Sequence, residues 1–336
     1  MRCGTAWSSR CRSRILTALG ALLVAGVQAR AQGGLSTEGG LFLLLPIGAR
    51  AVGMGQAAAA TATGSEAVWW NPAGLVAESR REAAIHHSQS ILGSGDALSI
   101  VMPSQLLGTL ALSLDVLNYG DFPLTDSINP DVPLGNIIPR NVIYGVSYAS
   151  GIGKRLGVGL TYKVVQLRFD CSGPCPPSAS YTATTSALDF GFRAELPMRR
   201  PTVVGLALRN VGLPFQVNDS QQADPLPTRI QLGIAHTIPV RTTPTKAGAV
   251  TALVAADVLE TLELETPSVR VGTDIAYEQR LFLRGGYVIE NGDGGGPSIG
   301  FGIVARNFVL DFGRIVGGLS ADQGQSPTHL SLRFLF

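Results

Sequence analysis

Beyond residue 80 the chain alternates apolar and polar residues with a period of two, which is typical of a β-strand with two different faces. From Gly108 to Leu117, leucine or valine occupies every second position, and small or polar residues lie between them. The final segment, 328–336, alternates leucine and phenylalanine with histidine, serine and arginine in the same way. The pattern predicts about fourteen strands, with the approximate spans 82–90, 96–103, 108–117, 141–150, 156–169, 181–195, 202–210, 228–238, 250–259, 268–277, 281–288, 297–305, 308–315 and 328–336.

The joins between these segments indicate an antiparallel sheet. Joins such as 104–107, 278–280 and 306–307 are far too short for the crossover of a dozen or more residues that parallel strands need. Joins after even-numbered strands are short, apart from about eleven residues around 241–249, whereas several after odd-numbered strands are long. Short turns on one side and long loops on the other are typical of outer-membrane barrels, and both termini would then lie on the periplasmic side.

Composition extends this prediction to a membrane. Charged residues make up 15% of the chain and the mean hydropathy is +0.24, whereas about a quarter of the residues of a soluble domain are charged. An open sheet in lipid would leave its edge groups unpaired, so the predicted fold is all-β, a closed transmembrane antiparallel β-barrel of about fourteen strands. The alternative, a secreted β-sandwich, would show abundant charge on its outer face. The net charge of +2 and the lack of a basic block give no indication of nucleic-acid binding.

The charged residues of the strands fall on the parity that would face the lumen. A lysine or arginine at the bilayer midplane would cost roughly 2–4 kcal/mol, so a register slip of one residue is strongly disfavoured. The predicted lumen charges are Lys163, Asp189, Arg193, Arg209, Asp257, Arg270, Asp274, Arg284, Asp311 and Arg333.

Residues 1–31 have the features of a secretory signal peptide: arginines first, an apolar stretch from Ile15 to Val27, and an Ala29-Arg30-Ala31 cleavage site. The apolar stretch is too short to span a bilayer as a helix. The mature chain is therefore predicted to begin near Gln32, outside the cytoplasm, with removal of Cys3 and Cys11.

Cys171 and Cys175 are the cysteines that remain. In an oxidising compartment a C-x-x-x-C on a Gly/Pro turn is most simply a local disulfide, here in an external loop. A redox-active pair would have C-x-x-C spacing, and a metal site would need further ligands that the four histidines do not supply at helical spacing.

A fourteen-stranded lumen is too wide for wall side chains alone to fill. Residues 32–80 are predicted to form a plug and residues 81–336 the barrel. Within the plug, the small residues from Gln56 to Ala62 are predicted to form a short helix. Arg50 is expected to pair with an inward carboxylate.

The segment from Gly48 to Leu75, GARAVGMGQAAAATATGSEAVWWNPAGL, admits two interpretations. Gly53, Gly55 and Ala58 satisfy the G-x-G-x-x-A form of a dinucleotide-binding turn, but that turn belongs to a parallel sheet, which the short joins exclude. The segment also resembles the N-terminal plug of FadL-like and PorV/PorQ-like outer-membrane barrels, although Gln56, Ser65-Glu66 and Trp69-Trp70 depart from the usual residues. The plug motif that carries the resemblance comprises Gly48, Ala49, Arg50, Gly53, Met54, Gly55, Asn71, Pro72, Ala73 and Gly74.

The resemblance implies a bacterial outer-membrane protein without a cofactor, surrounded by outer-membrane lipid. It also implies that the terminal Phe334 and Phe336 form the signal read by the barrel-insertion machinery. Our first interpretation of function is a PorV/PorQ-like accessory protein that docks cargo or partner subunits in type IX-like protein secretion. The alternatives are a FadL-like channel for uptake of small hydrophobic molecules and a structural barrel without a transport role.

The size of the chain favours the secretion role, because the chain is short for a FadL-type transporter. The external loops also lack long apolar stretches that could form a capture groove. The sequence contains no H-E-x-x-H pattern, and the chain is not predicted to be an enzyme.

Overall fold

The computed structural model describes residues 39–336 except 105, 126–130, 174, 176–179, 217–222, 243–247, 263–266, 291–294 and 318–325. The predicted signal peptide lies outside the described residues. The described part falls within one compact unit, Thr37–Phe336.

The described part of Thr37–Phe336 forms a closed antiparallel barrel of fourteen strands. Each strand pairs with the next along the chain, and the last pairs with the first to close the barrel. The barrel strands are β1 (Glu82–Ser90), β2 (Gly93–Ser104), β3 (Gly108–Asn118), β4 (Gly135–Ile152), β5 (Leu156–Ser172), β6 (Tyr181–Glu195), β7 (Thr202–Gly212), β8 (Arg229–Arg241), β9 (Val250–Thr261), β10 (Ser268–Tyr277), β11 (Leu281–Glu290), β12 (Gly296–Ala305), β13 (Phe308–Ile315) and β14 (Thr328–Leu335).

These bounds confirm the predicted fold class and strand number, since most strands begin and end within three residues of the predicted positions. The clearest difference is β4, which starts at Gly135 rather than near residue 141, and pairs there with the short strand Phe122–Leu124. A second small pairing joins Phe215–Gln216 to Ala223–Asp224 within the join after β7.

The two faces of the wall differ as the alternation predicted. On β10, Val269, Val271 and Ile275 are exposed on the outer face, whereas Arg270 and Asp274 are buried in the lumen. The outer face is apolar over most of the strands, which suits contact with lipid tails, and the charges lie inside. Among the described residues, no helix is long and apolar enough to cross a membrane.

The barrel has a terminal end, where β1 begins and β14 ends, and an opposite far end. Joins at the terminal end span 105–107, 153–155, 196–201, 242–249, 278–280 and 306–307. Joins at the far end include the much longer 119–134, 213–228 and 316–327. The tightest terminal-end turns, of two and three residues, place Glu278, Gln279 and Arg306 at positive φ, which is common in short hairpin connections.

Residues 39–77 enter the lumen and form a compact plug. It contains two short helices, α1 (Ala49–Gly53) and α2 (Ala67–Trp70), and three 3₁₀ turns at Leu41–Leu44, Gly64–Glu66 and Pro72–Ala77. Both helices and most of the chain between them are buried.

The helix predicted from Gln56 to Ala62 is wrong, because this segment consists of turns and irregular chain. Gln56 has a positive φ of 61°, and although the Ala62 N–H donates to the Ala58 carbonyl at 3.0 Å, other polar groups of the segment bond to side chains of the lumen. The Ala59 N–H donates to Asp257 at 2.8 Å, and the Gln56 carbonyl accepts from Gln231 at 3.2 Å. Lumen side chains therefore replace the helical hydrogen bonds that small-residue propensity suggested.

Candidate functional site

Inward-facing glycines of the wall form the seat of the plug. A Cβ atom built on Gly205 would lie 1.9 Å from the Ala59 carbonyl oxygen, and one on Gly272 would lie 2.2 Å from the Met54 carbonyl oxygen. A Cβ on Gly286 would lie 2.0 Å from the Gly55 nitrogen. The plug backbone thus rests directly on the strand backbone, an approach that no other residue type permits.

The NPAG part of the plug motif is a capped turn tied to the wall. The Asn71 side-chain oxygen accepts from the Ala73 N–H at 3.1 Å, and Pro72 begins the 3₁₀ turn. The Asn71 amide nitrogen donates to the Ala59 carbonyl at 2.6 Å and to the Phe192 carbonyl on β6 at 3.1 Å. Gly74 has no room for a Cβ, which would lie 2.1 Å from the Ala62 carbonyl oxygen. These contacts place one asparagine between plug and barrel.

The GAR part of the motif begins α1 and connects to the wall. Gly48 has a φ of 96°, and its missing Cβ leaves space for the Glu66 carboxylate. That carboxylate accepts from the N–H groups of Arg50 and Ala51 at 3.2 and 3.3 Å. The Ala49 N–H donates to the Ser331 hydroxyl on β14 at 2.9 Å. Burial raises the pKa of Glu66 above its usual range, and the neighbouring Arg50 opposes this shift.

Arg50 ends a chain of alternating charges that runs along the inner wall from β10 to β14. It pairs with Asp274 at 3.4 Å, Asp274 pairs with Arg284 at 3.1 Å, and Arg284 pairs with Asp311 at 2.7 Å. Arg333 completes the chain with a contact to Asp311 at 2.9 Å. The sequence predicts that Arg50 pairs with an inward carboxylate, and in the structure that carboxylate is Asp274.

A second polar cluster lies at an irregular point in the wall. The pairing of β6 with β7 shifts register between Leu188 and Phe190, and Asn210 opposite has a positive φ of 61°. The Asn210 N–H donates to Asp189 at 2.7 Å, and Lys163 pairs with Asp189 at 2.8 Å. Side chains therefore satisfy the backbone where the ladder is interrupted, a feature typical of a β-bulge.

The remaining lumen charges also contact the plug, with one exception. Arg209 donates to the Trp69 carbonyl at 2.9 Å and lies 5.0 Å from the centre of the Trp70 ring. Arg270 donates to the Gln56 side chain at 2.9 Å. Arg193 pairs with Glu195 on its own strand at 2.8 Å.

An apolar groove opens at the far end, and sequence reasoning missed it. It has a volume of about 440 Å³ and is lined by aromatic side chains from separate parts of the chain. The aromatic residues that line it are Phe42, Tyr119, Phe122, Phe169 and Phe215. The far-end loops lack long apolar stretches, as the sequence shows, but they contribute to an apolar groove all the same. A groove built from one to three residues on each of five distant segments leaves no apolar run in the sequence.

A small void lies between this groove and the plug. It has a volume of about 30 Å³ and is lined by Trp69, Trp70, Lys163 and Asp189, and Phe42 lines both spaces. The void is therefore next to the irregular stretch of wall at Asn210. A third cavity of about 290 Å³ lies near the terminal end, where Arg50 and Arg333 line it.

The other predicted site residues lie away from the lumen. Cys171 and Cys175 form a disulfide at the far end of β5, with a Cα–Cα distance of 6.2 Å. Phe334 and Phe336 are exposed at the terminal end, with ring centres 5.6 Å apart. Among the described residues, no group of three or more histidine, cysteine, aspartate or glutamate side chains could hold a metal ion.

Comparison with known proteins finds similarity of fold but not of sequence. No family model matches the chain, and no curated protein matches it. Among solved structures, the toluene transporter TbuX of Ralstonia pickettii aligns with a TM-score of 0.55 and 13% identity, over 86% of this chain and 98% of that one. The toluene transporter TodX of Pseudomonas putida aligns with a TM-score of 0.53 and 14% identity, over 89% and 97%. The chain therefore shares the fold of these two structures.

Proposed function

We propose that the protein is an outer-membrane channel for small hydrophobic molecules, which enter through the apolar groove at the far end. The aromatic lining of that groove is the observation that carries the proposal. Its volume of about 440 Å³ falls within the range of small-molecule sites, which are typically apolar clefts of about 300–1,000 Å³. Both aligned transporters are named for toluene, a small aromatic hydrocarbon. FadL-like uptake is therefore preferred to our first interpretation from the sequence.

The groove is connected to the plug in a way that suits transport. Phe42 lines the groove and also the adjoining small void, and Trp69 and Trp70 line that void as well. A ligand that displaces Phe42 would reach the two tryptophans and the bulge at Asn210. Passage beyond this point requires movement of the plug or of the wall, because the void holds only about 30 Å³.

Uptake of radiolabelled toluene by cells that express the protein tests the proposal. The double variant Phe122→Ala/Phe169→Ala removes two aromatic walls of the groove and should reduce the initial uptake rate by at least about tenfold, since burying each ring contributes roughly 1.5–3 kcal/mol. Phe190→Ala is the matched control, because Phe190 is a half-exposed aromatic residue of the outer face. Uptake equal to that of cells without the protein would contradict the proposal.

A docking role in type IX-like secretion is the second candidate. The observation that favours it is the extent to which the plug fills the lumen, because a docking protein needs no path for solutes. Isolation of the protein from its native membrane with secretion components, together with no toluene uptake, would select this role.

A further inference from the structure

The charged residues of the joins between strands are segregated between the two ends of the barrel. By sequence, the joins of the far end contain aspartate and glutamate but no lysine or arginine. The joins of the terminal end contain a single acidic residue, Glu278. Their basic residues within the described part of the chain are Lys154, Arg155, Arg199, Arg200, Arg280 and Arg306, hereafter the basic rim.

The basic rim is available to a partner. All six side chains are exposed, and none forms an ion pair with another described residue. They lie in four turns, after β4, β6, β10 and β12, and so are spread around much of the circumference. A single protein partner would cover one side of such a rim, whereas the surrounding lipid contacts all of it.

Exposed apolar side chains accompany the basic rim. Met198 is 59% exposed beside Arg199 and Arg200, and Ile152 is 55% exposed two residues before Lys154. Leu106, in the turn without a charge, is 95% exposed. Turns that expose apolar and basic side chains together suit the boundary between lipid tails and headgroups, where long basic side chains extend toward the polar layer.

We propose that the basic rim binds the headgroups of anionic phospholipids in the leaflet at the terminal end of the barrel. Each lysine or arginine near an anionic surface strengthens association by about fivefold, and the effect decays within a Debye length. The proposal concerns only the barrel exterior and is independent of what passes through the lumen.

The test measures the affinity of the full-length protein, in neutral detergent, for two fluorescent phospholipids. One probe has a phosphatidylglycerol headgroup and the other has a phosphatidylcholine headgroup. The four-site variant Lys154→Gln/Arg155→Gln/Arg199→Gln/Arg200→Gln removes most of the basic rim. The matched control Arg140→Gln/Arg314→Gln removes exposed basic side chains from strand segments toward the far end. A charge-preserving variant, Arg155→Lys/Arg199→Lys/Arg200→Lys, separates charge from the shape of arginine. A heat-dependent shift on gels verifies that each variant is folded.

The wild type should bind the phosphatidylglycerol probe at least about tenfold more tightly at low salt, and about 0.5 M salt should abolish the preference. The four-site variant should lose the preference, while the far-end control and the charge-preserving variant keep it. Equal wild-type affinity for the two probes would overturn the proposal, and so would an unchanged preference in the four-site variant. Because toluene uptake is measured separately, failure of this proposal leaves the proposed channel function unaffected.

Discussion

The seat of the plug makes a sharp prediction at Gly205. An alanine there would place its Cβ 1.9 Å from the Ala59 carbonyl oxygen, whereas ordinary contact begins near 3.4 Å. Either the loop around Ala59 or strand β7 must therefore shift by roughly 1.5 Å or more, and both are held by their own hydrogen bonds. The substitution Gly205→Ala should separate plug and wall locally.

The size of the effect follows from the bonds that Ala59 makes. Its N–H donates to the Asp257 carboxylate at 2.8 Å, and its carbonyl accepts from Asn71 at 2.6 Å. Loss of a bond to a charged group costs about 1.5–3 kcal/mol and loss of a neutral bond about 1 kcal/mol. With about 1–2 kcal/mol for overpacking, the free energy of unfolding should fall by about 3.5–6 kcal/mol.

Urea unfolding followed by tryptophan emission measures this change directly. Trp69 and Trp70 are the only tryptophans after the predicted signal peptide, and both belong to the plug. Gly285→Ala is the matched control, because a Cβ there meets nothing within 4 Å. If Gly205→Ala lowers the free energy of unfolding no more than Gly285→Ala does, the plug does not rest on the wall as described.

Three further predictions concern single contacts. Arg50→Met removes the ion pair between the plug and Asp274 and should raise the frequency of conductance openings in planar bilayers. The control Arg193→Met removes an ion pair within one strand and should match the wild type. Equal opening frequencies in Arg50→Met and the wild type would show that Arg50 does not hold the plug to the wall. Burial raises the pKa of Glu66 above 4.5, so the stability that protonated Glu66 contributes is complete below pH 4.5 and is lost as the pH rises through the raised pKa. In urea unfolding, Glu66→Gln should therefore be more stable than the wild type at pH 8 but not at pH 4. A gain in stability that is the same at both pH values would refute this. Replacement of both Cys171 and Cys175 by serine should lower the free energy of unfolding by about 2 kcal/mol, because the disulfide closes a loop of only a few residues. A loss above about 4 kcal/mol would contradict the view that the disulfide stabilises only this loop.

The wall of the barrel was predictable because one physical rule acts at every position. Lipid outside and polar groups inside impose a period of two, so the alternation on β10 identified both its span and its inward residues. The early start of β4 was missed because Pro139 and Arg140 interrupt the alternation where that strand reaches the longer far-end loops.

The plug and the groove were less predictable because their structure depends on distant partners. Residues 56–62 are irregular because Asp257 and Gln231 bond to their backbone, and neither partner is visible from local propensity. Phe122, Phe169 and Phe215 form one surface although more than forty residues separate each from the next. No local pattern marks such a surface, so the sequence indicates that a plug exists but not that an apolar groove lies at the far end.

The most direct test of hydrophobic uptake is a crystal structure of the protein soaked in bromobenzene, with the bromine located by anomalous scattering. The account predicts a bromine peak in the far-end groove between Phe122 and Phe169, and loss of that peak in the Phe122→Ala/Phe169→Ala variant. A groove without bromine, with peaks only on the lipid-facing wall, would contradict it.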